Sequence, residues 1–124
     1  MKYMIMMFGA PSTMMETQSR EWIVEMIDFM HKLNDDLTRS GEFVGAEGLA
    51  DASQAKTVSF KNGIPVATDG PYAESKESLA GYWIVDVESE ARAIELTSRV
   101  VAFIGPVGAP PIEVRQVMDA PPEV

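Results

Sequence analysis

Tyr3-Met4-Ile5-Met6-Met7-Phe8 is the stretch that decides the fold. Six apolar residues in a row, closed by Gly9 and Pro11, make a short run too brief for a buried helix and suited to a central strand. Side chains alternate along a strand, so Tyr3, Ile5 and Met7 face one way while Met4, Met6 and Phe8 face the other. Gly81-Tyr82-Trp83-Ile84-Val85-Asp86-Val87 repeats the pattern: Tyr82 and Ile84 oppose Trp83, Val85 and Val87. Two inner strands are therefore apolar on both faces. A sheet of this kind needs a layer on each side, because each apolar side chain left in water forgoes about 1.5–3 kcal/mol.

The remaining elements follow outward from these strands. Ser12–Thr17 reads as a loop. From about Gln18 to Ser40, Trp22, Met26, Phe29, Met30, Leu33 and Leu37 gather on one side of a helix, with Glu21, Glu25, Asp28, Lys32 and Asp35 on the other. Gly41 stands where a left-handed C-cap falls. Glu42–Ala50 reads as a second strand, or as a strand with a bulge at its glycines. In Lys56–Ala67 the residues alternate around Asn62-Gly63, the strongest two-residue hairpin signal. Pro65 lacks an amide hydrogen, which places this hairpin at a sheet edge. Thr68–Ala80 is a polar loop. Ser89 caps a helix to about Ile104 with Ala91, Ile94, Thr97, Val101 and Ile104 toward the core. Ile112-Glu113-Val114-Arg115 starts a last strand.

The order β-α-β, hairpin, β-α-β predicts an α+β, ferredoxin-like antiparallel sheet with two helices on one face and an inserted β-hairpin. A single domain over residues 1–118 is expected, with 119–124 as a flexible tail. Two helices cover one face only. A second copy of the chain, packed sheet to sheet into a barrel-like core, is the expected cover of the other, since two-fold homodimers are the commonest oligomer. The hairpin and the segment 41–53 folding back over that face in a monomer is the alternative.

Composition narrows the partners. Nineteen acidic side chains against ten basic give a formal net charge of −9, a field that repels phosphate backbones and anionic membrane surfaces. Neither nucleic acid nor membrane is expected. With no cysteine and a single histidine, thiolate metal sites and cysteine nucleophiles are excluded and a zinc or copper site is not expected. No window has the roughly 20 apolar residues of a membrane span, and nothing resembles a signal peptide, so a cytoplasmic protein is expected.

The chemistry-bearing candidates are few. His31, the lone histidine, is either a surface residue or a general acid or base, since imidazole titrates nearest neutrality. Asp69 opens Asp69-Gly70-Pro71-Tyr72. It is either ordinary turn chemistry or a carboxylate that accepts from a ring N–H of His31 and raises its basicity. Tyr72, Lys76 and Arg115 are the residues that would position an anionic or carbonyl substrate, with solvated ion pairs as the alternative for the two cations. The nine methionines suit core gaps or an adaptable binding surface. No P-loop, dinucleotide fingerprint or G-x-S-x-G is present, and no cofactor is expected.

Met1-Lys2-Tyr3-Met4, Gly45-Ala46-Glu47-Gly48-Leu49, Thr68-Asp69-Gly70-Pro71-Tyr72-Ala73-Glu74-Ser75-Lys76-Glu77, Gly81-Tyr82 and Ile112-Glu113-Val114-Arg115 together resemble the YCII-related family, also called DGPF-domain proteins. Tyr72 replaces the motif's Phe, Ser75 stands where Thr is frequent, and the position of His31 varies in the family. The resemblance implies a ferredoxin-like dimeric α+β barrel and a His–Asp acid–base pair, carried onto His31 and Asp69. It supplies no substrate; some members are linked to extracytoplasmic-type sigma factors. Two functions are thus expected to compete: a cofactor-independent small-molecule enzyme of lyase, isomerase or hydrolase type, and a non-catalytic ligand- or partner-binding dimer, with a link to sigma-factor regulation.

Overall fold

The computed structural model describes residues 1–70 and 78–123. A four-stranded antiparallel sheet is built from β1 (Lys2–Phe8), β2 (Phe43–Gly48), β5 (Leu79–Asp86) and β6 (Glu113–Gln116), in the order β2-β5-β1-β6. The two strands apolar on both faces, β1 and β5, are the central pair. They align Tyr3 with Val85, Met4 with Ile84, Ile5 with Trp83 and Met6 with Tyr82. Helices α2 (Arg20–Ser40) and α3 (Glu90–Ile104) pack on one face, α2 against β2 and α3 against β1 and β6. The architecture is α+β and ferredoxin-like.

The periodicities produced these elements for the reasons expected. On the helix-covered face Tyr3, Ile5, Trp83 and Val85 retain 4%, 2%, 3% and 0% of their exposure. They meet Leu33 and Leu37 of α2, with Trp22, Phe29 and Met30 packed around them. Ser19 caps α2 by accepting from the Trp22 amide at 3.1 Å. Gly41 ends it at φ 81°, donating to Leu37 and Thr38, a left-handed cap that a Cβ would strain. The indole N–H of Trp83 donates to Asn34 Oδ1 at 2.7 Å, which pins α2 to the centre of the sheet. The strand register shifts between Phe43 and Gly45, so of the two readings of this segment the irregular strand is the one that forms.

Four readings need correction. Ser12–Thr17 is not a loop: α1 spans Pro11–Thr17. Pro11 starts it with a preset φ, but it buries no residue, so it carries no periodic signal. The hairpin of β3 (Lys56–Lys61) and β4 (Ile64–Asp69) is a separate two-stranded sheet rather than an edge of the main one. Its turn is as expected, with Asn62 at φ 52° and Gly63 at φ 81°. Thr68 and Asp69 belong to β4, and Leu79 and Ala80 to β5, which shortens the intervening loop.

The fourth correction is the rotation of α3. Ala93, Leu96, Thr97, Val100 and Ile104 point inward, while Ile94 and Val101 stay 52% and 43% exposed and Ala91 is exposed too. The helix carries two apolar stripes that share Thr97 and Ile104. The observed rotation buries Leu96 and Val100 and lets the Arg92 guanidinium grip Glu42 through Nε at 2.9 Å and Nη2 at 3.0 Å. That bidentate pair is made only in this turn of the helix over the sheet and adds to its stability.

Candidate functional site

The face of the sheet turned away from the helices is where the structure gathers unusual side chains. Met4, Met6, Phe8, Tyr82 and Ile84 stand there, half-buried within the single chain. The register adds polar neighbours around them. Glu47 lies opposite Tyr82 and Gly45 opposite Ile84 on β2, while Arg115 lies opposite Met4 and Glu113 opposite Met6 on β6. Directly opposed residues share a face. The result is an apolar floor with Glu47 on one side and the Glu113–Arg115 ion pair on the other. Gly81 allows β2 and β5 to approach beneath it: a Cβ there would sit 3.0 Å from the Glu47 carbonyl oxygen and 3.4 Å from Met7 Cε.

Of the sequence candidates, Arg115 alone among the described residues belongs to this floor. Its guanidinium is 71% exposed and already partnered by Glu113, which is 41% exposed. Asp69 sits at the foot of the hairpin, 85% exposed, and pairs with Lys56 across the strands. His31 is exposed on α2, on the same outer stripe as Val24 and Ile27 and turned away from the sheet. Among the described residues no hydrogen bond joins His31 to Asp69. Tyr72 and Lys76 lie outside the described residues.

Sequence reasoning did not single out Tyr82, Glu47 or Glu113 as functional. A signal was present for Tyr82: period-two alternation already turned it away from the helices. Glu47 and Glu113 join it only through cross-strand register, which the sequence does not carry. An open concavity of about 450 Å³ lies along Gln116, Val117, Met118, Asp119 and Ala120, and His31, Asp69 and Arg115 are not in its lining. It follows the last strand into the C-terminal segment and offers no chemistry beyond Gln116 and Asp119. Among the described residues no three His, Cys, Asp or Glu side chains converge on a metal position. No helix there is long and apolar enough to cross a membrane.

The shifted carboxylates lie elsewhere and are structural. Arg92 holds Glu42 below the ordinary carboxylate range, helped by the Ser40 hydroxyl at 2.8 Å against the opposing effect of burial. Ser12 lowers Asp51 through its hydroxyl and its backbone N–H, the latter at 3.1 Å, tying α1 to the loop after β2. Arg99 and Arg39 lower Asp36, bracing α2 against α3. None of these groups faces the open floor.

The model of the YCII-related domain matches residues 1–119. The chain belongs to the YCII-related family. Its matched region runs from β1 past β6 and so takes in the residues of the open floor as well as Asp69 and Gly70. A search of curated proteins found no match.

Proposed function

We propose that this YCII-related protein is a homodimeric small-molecule-binding module whose two copies bring their open sheet faces together. One observation carries the reading: β1 and β5 are apolar on both faces, and the helices cover one of them. Mating two such faces removes from water the part of Met4, Met6, Phe8, Tyr82 and Ile84 that each single copy leaves exposed, about half of the 1.5–3 kcal/mol of a fully buried side chain for each. The barrel-like space between the sheets then has an apolar wall with few polar groups: the Tyr82 hydroxyl, Glu47, and Arg115 with Glu113. A small ligand with an apolar body and one hydrogen-bonding head suits that lining, as ligand sites are mostly apolar with a few placed polar groups.

Proton transfer by His31 and Asp69 fits less well. A histidine–carboxylate pair works through a direct hydrogen bond that sets the imidazole's tautomer. Here the carboxylate is engaged by Lys56 and the imidazole stands on the outer side of α2.

Light scattering at micromolar concentration, followed by a thermal-shift screen of small metabolites, tests the reading. A mass of twice the chain and stabilisation by an amphiphilic ligand, diminished by Tyr82→Phe or Arg115→Ala and preserved by His31→Ala, are expected. A ligand at a hundred times its Kd stabilises by about 2.7 kcal/mol. A well-folded monomer sinks the dimer, and turnover abolished by both His31→Ala and Asp69→Asn sinks the non-catalytic module.

A further inference from the structure

We infer that the β3–β4 hairpin is an exchanged arm: in the dimer proposed above, on which this inference rests, it crosses to the second copy at the rim of the space between the mated sheets and sets Phe60 in that space. The register pairs Val58 with Ala67 and Phe60 with Pro65, so these four side chains share one face of the hairpin. All four are exposed, Val58 at 66% and Phe60 at 76%. The arm forms its own sheet and makes no ladder to the main one. An isolated two-stranded hairpin is marginal in water and needs a further layer for independent stability. Among the described residues its own body does not supply that layer to the Phe60 face.

Three features point to a second copy as the cover. The first is charge. The arm, residues 56–69, holds Lys56 and Lys61 against the single acid Asp69, a net charge of +1, which leaves eight basic against 18 acidic side chains in the rest of the chain. A cationic arm on a strongly acidic body is attracted to another copy of that body, and Glu47 on the floor has no ion partner among the described residues. The second is size. Six-residue strands give an arm about 20 Å long, against about 14 Å across a sheet of four strands, so one arm spans one floor. The third is the mode of contact. Pro65 blunts the edge of β4 against strand addition, which leaves the flat Val58–Phe60–Pro65–Ala67 face as the surface that docks. Arm and floor belong to the same chain, so a two-fold axis satisfies both at once, each arm at the rim of the other's floor.

The chain has no cysteine, so introduced thiols report without background. Chains bearing Phe60→Cys and chains bearing Met6→Cys are mixed, allowed to exchange, and treated with a short bis-maleimide. The expected result is a covalent mixed dimer at least tenfold above a control in which Ile94→Cys, on the exposed flank of α3, replaces Met6→Cys. Phe60→Ser, at a side chain that contributes little to the isolated fold, is expected to weaken dimerisation at least tenfold while leaving circular dichroism unchanged. Dimers that cross-link no better than the control overturn the arm exchange and leave the dimer of the previous subsection standing. A dimer untouched by Phe60→Ser also overturns it, and assigns the arm's apolar face to a different protein. An unmodified chain that scatters as a monomer overturns both readings.

Discussion

Ile84→Asp puts a charge in the middle of the open sheet face. Ile84 pairs with Met4 on one side and Gly45 on the other, and it is half-buried in the single chain. If that face mates with a second copy, each subunit loses the remaining half of the burial of one isoleucine, about 0.8–1.5 kcal/mol. A two-fold interface applies the substitution twice, so the dimer loses about 1.5–3 kcal/mol before any cost of desolvating the new carboxylates. At 1.4 kcal/mol per tenfold, Kd rises by about 10- to 10²-fold from lost burial alone. The isolated subunit suffers far less, because the side chain already meets solvent there. Sedimentation velocity over a concentration series measures the shift, with circular dichroism as the check on folding. Ile94→Asp is the control: it adds the same charge to the −9 chain at a site 52% exposed on α3, so it isolates position from net charge. A dimer constant that moves equally for both variants, or for neither, refutes the reasoning.

Other outcomes follow from single contacts. Asn34→Ala orphans the buried Trp83 indole N–H, which donates at 2.7 Å. The loss is about 1–3 kcal/mol, a drop of roughly 4–12 °C in Tm for a chain of this length, read by differential scanning calorimetry. Gly81→Ala forces a methyl to within 3.0 Å of the Glu47 carbonyl, so β2 must move away from β5. A loss of about 1–3 kcal/mol is expected by denaturant titration, with the Glu47 and Leu49 amides exchanging faster. Glu42 titrates below its ordinary 4.5 because Arg92 and Ser40 bind the ionised form, while Arg92 is pushed further up and stays charged throughout. A depressed folded pKa gives stability that is complete above 4.5 and lost as pH falls through the lower folded value. Glu42→Gln should therefore lower stability at pH 7 and flatten that acid limb; a variant whose acid limb matches the wild type would contradict the assignment.

Local patterns determined much of this protein. Period-two alternation named β1 and β5 and told which of their residues oppose, because strand geometry admits no other arrangement. The spacing of Trp22 through Leu37 named the buried side of α2. Gly41 and Asn62-Gly63 marked a cap and a turn whose left-handed φ values few other residues tolerate. These features depend on neighbours within a few positions. The family resemblance, carried by motifs from Met1 to Arg115, was also legible and covers nearly the whole chain.

Tertiary structure alone decided the rest. The rotation of α3 was set by contacts outside the helix, among them Arg92 with Glu42, 50 positions away, because two apolar stripes left the helix itself undecided. Whether the hairpin joins the main sheet depends on where β2 and β6 find their partners, not on its own turn. Asp69 found Lys56 because the hairpin ran two residues further than its alternation shows. His31 faces outward because Leu33 and Leu37 took the core, and its distance from any carboxylate was never encoded in its neighbours. Fold elements were readable since their causes are local; the site was not, because its members meet only through register and packing.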